Sequence, residues 1–375
     1  MRLLRVTTLY ESYLRAFYGA RPGLAAAPYA AQRAALDHDA FGWADFWGHA
    51  LERLGYETLD VALNATELLR AWGREHLPEG APARAAAAEP VLSITLRMAR
   101  WFRPDVLWYD HDDAGFLDAL RAEVPSVKGV LGWTGSAVGG TAAWRAIDLM
   151  LTCSPEAAEN CAREGLRAAV LEHAFDPRVF DGTTDDPKRW RVSFIGQLLE
   201  SEGFHGTRAQ LLRRVAAPAD VTLFVPRSPR PWRAALRRAL AGRGLRSPVR
   251  DLLRGAHDGV YGLAMYQVLR DSRATLNVHA DSSPRFASNM RLFEATGVGT
   301  CLVTDWKENM DALFEPDREV VLYRSAEECA EKLAWLAEHP DDAAAIGAAG
   351  RRRTLASHTF AHRAPTLDRH VRSVL

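Results

Sequence analysis

Little in the chain announces a simple chemistry, and each absence narrows the field. The four cysteines, Cys153, Cys161, Cys301 and Cys329, show no metal-ligand spacing, which argues against a zinc site and a disulfide framework. Two of them lie in apolar strand-like runs, where a thiol behaves as a small hydrophobe, and a reduced cytosol fits best. Neither sign of charge is in excess, with 47 Lys and Arg against 47 Asp and Glu. No global field therefore draws a nucleic acid or an anionic membrane. No apolar run reaches the roughly 20 residues that span a bilayer, and the run at 1–9 is too short for a signal peptide. These absences predict a cytoplasmic protein with no transmembrane segment and no nucleic-acid partner. They leave its oligomeric state open.

What is present is ample core. At 375 residues, 48% hydrophobic and 25% charged, the chain predicts two globular domains. Short runs rich in Val, Leu and aromatics at 3–9, 57–63, 105–110, 126–133, 149–153 and 168–173 alternate with helical patterns such as 44–54, 91–101 and 155–165. Alternation of this kind implies an α/β fold with a parallel, doubly wound sheet. Gly55 and Gly165 each follow a helical pattern and precede a strand, as a left-handed helix cap does. A polar, turn-prone stretch at 176–186 reads as a linker. A second series of strands follows at 192–196, 221–225, 274–280, 300–304 and 319–323, with helices at 207–215, 325–338 and 341–354. The expected domains are 1–176 and 188–352, with a last helical segment at 353–375 that can pack back on the first.

The most informative stretch is Asn289-Met-Arg-Leu-Phe-Glu-Ala-Thr-Gly297, between the runs 274–280 and 300–305. A strand, a polar loop, a short helix opening on Ser288-Asn289 and a further strand would place backbone donors, Arg291 and Glu294 where a phosphorylated ligand docks. Arg291 and Glu294 are three apart and share a helix face, so a surface ion pair is the plain alternative. Position favours a site, because the helix opens just after a strand end carrying His279 and Asp281. Glu294 can accept hydrogen bonds from a ribose diol, and Arg291 can neutralise phosphate or orient Glu294.

The stretch Ala287-Ser-Asn-Met-Arg-Leu-Phe-Glu-Ala-Thr-Gly-Val-Gly-Thr-Cys-Leu-Val-Thr-Asp305, with Leu313-Phe-Glu-Pro316, Glu319-Val-Val-Leu-Tyr323 and Gly350-Arg-Arg-Arg-Thr-Leu-Ala-Ser-His-Thr359, resembles the CgeB-like glycosyltransferases of the GT-B, family 1/4-like group. Val192-Ser-Phe-Ile-Gly-Gln197, Leu171-Glu-His-Ala-Phe-Asp-Pro177 and Phe102-Arg-Pro-Asp-Val-Leu-Trp108 extend the likeness upstream. The resemblance implies two Rossmann-like domains facing each other across a cleft. It also implies a nucleoside-diphosphate sugar donor bound by the second domain without a metal or other cofactor, a glycan or small-molecule acceptor, and retention at the anomeric carbon. Many retaining relatives carry two glutamates eight positions apart. Glu294 matches the second, but the first position is Phe286, so Asp281 or the amides of 282–288 would have to take over.

On the donor side, Gly196 follows a strand and can face the diphosphate. Beyond it lie His205 and Arg208, and Arg208 can supply positive charge to a leaving diphosphate. Ser288 and Asn289 complete the donor set with Arg291 and Glu294. On the acceptor side, Trp108-Tyr-Asp-His-Asp-Asp-Ala-Gly115 puts three acids and a histidine at a strand end. His111 or a neighbouring Asp there, with Asp112 in the candidate set, is a candidate general base or sugar contact, and Asp112 or Asp113 is a helix cap. Glu11, with Tyr10, follows the first strand directly. The aromatics of 41–47 read as core, the loop at 132–140 as lining a cleft, and His173 as either a hinge or a core residue. The rival functions are a nucleotide-sugar epimerase of the same fold and a non-catalytic spore- or envelope-associated protein. A dehydrogenase is a poorer candidate, because no Gly-x-Gly-x-x-Gly follows the first strand.

Overall fold

The apolar runs of the first half become six parallel strands. They are β1 (Arg2–Thr7), β2 (Glu57–Ala62), β3 (Val106–Tyr109), β4 (Gly129–Thr134), β5 (Leu149–Thr152) and β6 (Ala168–Val170), in the order β2-β1-β3-β4-β5-β6. All four residues of β3 and of β5 are buried, the mark of a parallel sheet covered on both faces. The computed structural model describes residues 1–76, 90–111, 113–135, 142–198, 206–227 and 248–375.

Helices cover this sheet because their apolar residues recur at helical spacing. Val91–Phe102 buries Ile94, Thr95, Met98, Ala99 and Phe102, one stripe of a 3.6-residue period. Ile94, Met98, Ala99 and Phe102 join Leu4, Val6, Leu107, Leu117 and Val130 in one core. Gly55 and Gly165 both take φ +79° and close their helices as the sequence predicts. Of the aromatic run, Phe46 and Trp47 are buried. Trp47 packs edge-on against Trp108 and Phe360.

Two compact units result, one of Met1–Glu172 with Phe360–Leu375, the other of His173–Thr359. The closing helix Phe360–Arg372 belongs to the first unit. Its Phe360 meets Phe46 and Trp47, and Tyr56 donates to Asp368 at 2.6 Å.

The second unit repeats the plan with β7 (Trp190–Ile195), β8 (Val221–Val225), β9 (His257–Asp258), β10 (Ser272–Asn277), β11 (Cys301–Asp305) and β12 (Val321–Tyr323). The order is β12-β11-β10-β7-β8-β9, again all parallel. The two-residue β9 has no counterpart in the sequence reading, since both of its residues are exposed and polar. The 176–186 stretch lies inside this unit. Its first part forms a 3-10 helix, Pro177–Gly182, capped by Asp176, and Thr184 bonds to Gln267 on helix Gly262–Arg270.

All four cysteines are free and buried. Among the described residues no helix is long and apolar enough to cross a membrane.

Candidate functional site

The second sheet reverses its winding between β7 and β10. From β7 the chain runs on to β8 on one side, and from β10 to β11 on the other, which leaves a crevice at the carboxyl ends of the two central strands. Arg208, on helix Gly206–Val215, spans that crevice. It donates to the Gln197 carbonyl beyond β7 at 3.0 Å and to the Val278 carbonyl beyond β10 at 2.7 Å. Burial pushes its pKa down. Gly196 lies beside it, and a Cβ there would stand 3.1 Å from the Phe194 ring and 3.8 Å from the Arg208 guanidinium.

The stretch after β10 folds differently from the sequence expectation. The helix begins at Arg291, not at Ser288-Asn289, and spans Arg291–Gly297 with no side-chain cap. Ser288 instead pairs with Ser283 at 3.2 Å. Asn289 exchanges amide bonds with Asn277 of β10 at 2.8 and 3.3 Å. The amides of Phe293 and Glu294 bond to the Met290 carbonyl, so these first-turn donors are spent within the turn and do not await an anion.

Arg291 and Glu294 do meet, at 2.9 Å, with side-chain exposures of 14% and 7%. The surface-pair alternative is therefore overturned, because every residue from Leu292 to Gly297 is buried. Burial raises the Glu294 pKa and the neighbouring Arg291 charge opposes the rise. Arg291 also reaches the Ile195 carbonyl at 3.4 Å, tying this helix to the end of β7. Its Nε has no hydrogen-bond partner among the described residues.

His279 and Asp281 turn to the other flank of β10. Asp281 accepts the Gly206 amide at 2.9 Å and so holds the first turn of helix Gly206–Val215. His279 is 3% exposed and makes two bonds to Asp305 at the end of β11, from its backbone amide at 3.0 Å and from Nδ1 at 2.7 Å. Lys307 lies 3.1 Å from the same carboxylate and donates to the Pro284 carbonyl. Burial alone would raise the Asp305 carboxyl, but His279 and Lys307 outweigh it and hold it far below the usual carboxylate range. Both residues line a cavity of about 630 Å³ with Thr207, Lys307, Tyr323 and Arg324. The 284–287 loop that carries Phe286 is fastened across to 307–309. There Asn309 bonds both backbone groups of Ala287, and Arg285 forks onto Glu308.

In the first unit, the ends of β1 and β3 are neighbours. Thr7 donates to Asp110 at 2.9 Å, and burial pushes the Asp110 carboxyl up to about 6. His111 is exposed, with its ring edge-on to Tyr109. Asp112 and His205 lie outside the described residues. Asp113 caps helix Ala114–Glu123 by accepting the Phe116 amide. Glu11 is the exposed first residue of helix Glu11–Gly19. Tyr10 is 55% exposed and packs edge-on to Phe41. Gly132–Thr134 belong to β4, and 136–140 lie outside the described residues. His173 is buried, which pushes its pKa down to about 3.

Sequence reasoning missed Asp305 and Lys307, and held Asp110 only as one of the aspartates beside His111. The strand-end rule would have flagged Asp305, which closes an apolar run. Nothing local marks Asp110 over its three polar neighbours.

Comparison with known proteins agrees with this fold. The family model described as "Glycosyl transferase-like" matches residues 224–369. No curated protein sequence matches significantly. Among solved structures the chain is similar to a glycosyltransferase from Rickettsia africae ESF-5, at 10% identity over 100% of this chain and 98% of that one, TM-score 0.57. It is similar to Anabaena Alr3699/HepE in complex with UDP and glucose, at 12% identity over 100% of both chains, TM-score 0.56. It is also similar to AviGT4, a glycosyltransferase involved in Avilamycin A biosynthesis, at 13% identity over 100% of this chain and 98% of that one, TM-score 0.55. The chain has the GT-B fold, two Rossmann-like doubly wound sheets, and its residues 224–369 match the glycosyl transferase-like family model.

Proposed function

We propose that the protein is a CgeB-like glycosyltransferase that moves a sugar from a nucleoside-diphosphate sugar to an acceptor hydroxyl on a glycan or natural product. The observation that carries this reading is the crevice between β7 and β10, where Arg208 bridges both strand ends beside the buried Arg291–Glu294 pair. In this reading Glu294 accepts hydrogen bonds from the ribose diol, with Arg291 holding its carboxylate in place. Gly196 admits the diphosphate to the backbone because it carries no side chain. Arg208 offsets the charge of the leaving diphosphate, a job that needs no metal or other cofactor. Ser288 and Asn289 shape the loop above, and His279 and Asp281 bound the donor region on its β11 side. Similarity to HepE, solved with UDP-glucose, supports a uridine diphosphate donor. Retention at the anomeric carbon rests on the likeness around Glu294.

On the acceptor side, burial pushes the Asp110 carboxyl up to about 6, which suits a general base, and His111, Asp112 and Glu11 are assigned to the acceptor. A cytoplasmic location completes the reading.

Calorimetry with UDP, UDP-glucose and other nucleoside diphosphates tests it. Binding of at least one, weakened tenfold or more by Glu294→Gln, is expected, a loss of roughly 1.4 kcal/mol. A chain that binds none of them, with Glu294→Gln unchanged, overturns the proposal.

A further inference from the structure

We propose that the cavity at the ends of β10, β11 and β12 is a second ligand site, taking a hydroxylated anion of monosaccharide size, a sugar phosphate or a sugar acid. The oxyanion would rest on Arg324 and a ligand hydroxyl on His279 Nε2. This site adjoins the β7–β10 crevice to which the nucleotide is assigned, with Val278, His279 and Asp281 as the wall between them.

Size is the first argument. A volume of about 630 Å³ lies within the range of small-molecule pockets and accommodates a phosphorylated monosaccharide. The cavity sits at carboxyl ends of parallel strands, where such sheets bind ligands.

Charge is the second. The lining carries Arg214, Lys307 and Arg324 against Asp281 and Asp305. Both carboxylates are already engaged, Asp305 by His279 and Lys307 and Asp281 by the Gly206 amide. Arg324 is not engaged in the same way. Its guanidinium stacks on Trp306 at 4.0 Å and donates no hydrogen bond among the described residues. Glu328, which feels its charge, is paired with Lys332 at 3.0 Å. A guanidinium held flat on an indole keeps its fork of donors free and pre-oriented for a planar or tetrahedral oxyanion.

The buried histidine is the third. His279 Nδ1 faces the ionised Asp305 and therefore carries the hydrogen of that bond, which leaves Nε2 as the second polar atom of the ring. Nε2 is buried with no hydrogen-bond partner among the described residues. A buried polar atom of this kind carries a desolvation cost that a ligand hydroxyl, able both to donate and to accept, would offset.

Isothermal titration of the full chain with glucose 6-phosphate, glucuronate and glucose, each with and without saturating UDP, tests the proposal. At least one anionic probe should bind tenfold or more tightly than glucose, and UDP should change that affinity less than twofold. The tighter of the two tells phosphate from carboxylate. Arg324→Ala should weaken the probe tenfold or more and leave UDP affinity within twofold. His279→Asn, which keeps an amide donor for Asp305 but loses the ring Nε2, should weaken the probe at least fivefold. The proposal is overturned if neither anionic probe outbinds glucose, if Arg324→Ala has no effect, or if UDP competes the probe away. A chain that binds the probe but no UDP supports the cavity and fails the crevice reading.

Discussion

The Arg291 guanidinium and the Glu294 carboxylate lie 2.9 Å apart on one helix face, the carboxylate buried and the arginine side chain only 14% exposed. A pair so placed is held together by mutual need, since neither charge has water to fall back on.

Removing one partner should therefore cost far more than removing both. Arg291→Met is expected to destabilise the chain by about 3–5 kcal/mol, because it strands a buried carboxylate. The double variant Arg291→Met, Glu294→Leu should recover most of that loss. Urea denaturation of the single and double variants checks the difference, and equal losses would mean that the pair is not coupled.

Asp110 makes stability depend on pH in a defined window. Its pKa rises from 3.8 unfolded to about 6 folded, so the folded chain binds the extra proton between those values. Stability should then fall as pH rises from about 4 to 6 and level off above. Asp110→Asn, which can still accept from Thr7, should gain about 1–3 kcal/mol at pH 7.5 and almost nothing at pH 4. Denaturation at the two pH values measures it.

His173 acts in the opposite direction. Burial drops its pKa from 6.5 to about 3, so the unfolded chain takes up the proton first. The stability it contributes is complete above pH 6.5 and is lost as pH falls toward 3, at roughly 1.4 kcal/mol per unit. His173→Leu should flatten that acid limb of the stability profile, and an unchanged slope would place the loss on other groups.

Gly297 is a packing requirement. A Cβ there would stand 2.4 Å from the Phe175 ring, too close for the ring to yield without moving its own backbone. Gly297→Ala should lower stability by about 1–3 kcal/mol through overpacking, read as a drop in melting temperature. A neutral result would show that the ring can move.

Much of both sheets was legible beforehand, and the reason lies in particular residues. Val221–Val225 and Val106–Tyr109 are continuous apolar runs bounded by polar turns, which parallel strands buried on both faces require. The helix after β10 was legible in kind but not in its start, because Ser288 and Asn289 look like caps. They spend their side chains on Ser283 and Asn277 instead, partners 5 and 12 residues back in the chain. The pairing of Arg291 with Glu294 followed from their spacing, whereas its burial did not, since burial depends on what packs over the helix.

The sequence by itself determined the alternation of strand and helix, the glycine caps at Gly55 and Gly165, and the motif around Glu294, because each is written in neighbouring residues through local backbone and periodicity rules. The tertiary structure alone decided which polar groups would share a site. Asp305 meets His279 across 26 residues, Asp110 meets Thr7 across 103, and Arg208 meets the Val278 carbonyl across 70. Burial and paired charge at those meeting points set the chemistry, and both arise only when strands distant in sequence lie side by side.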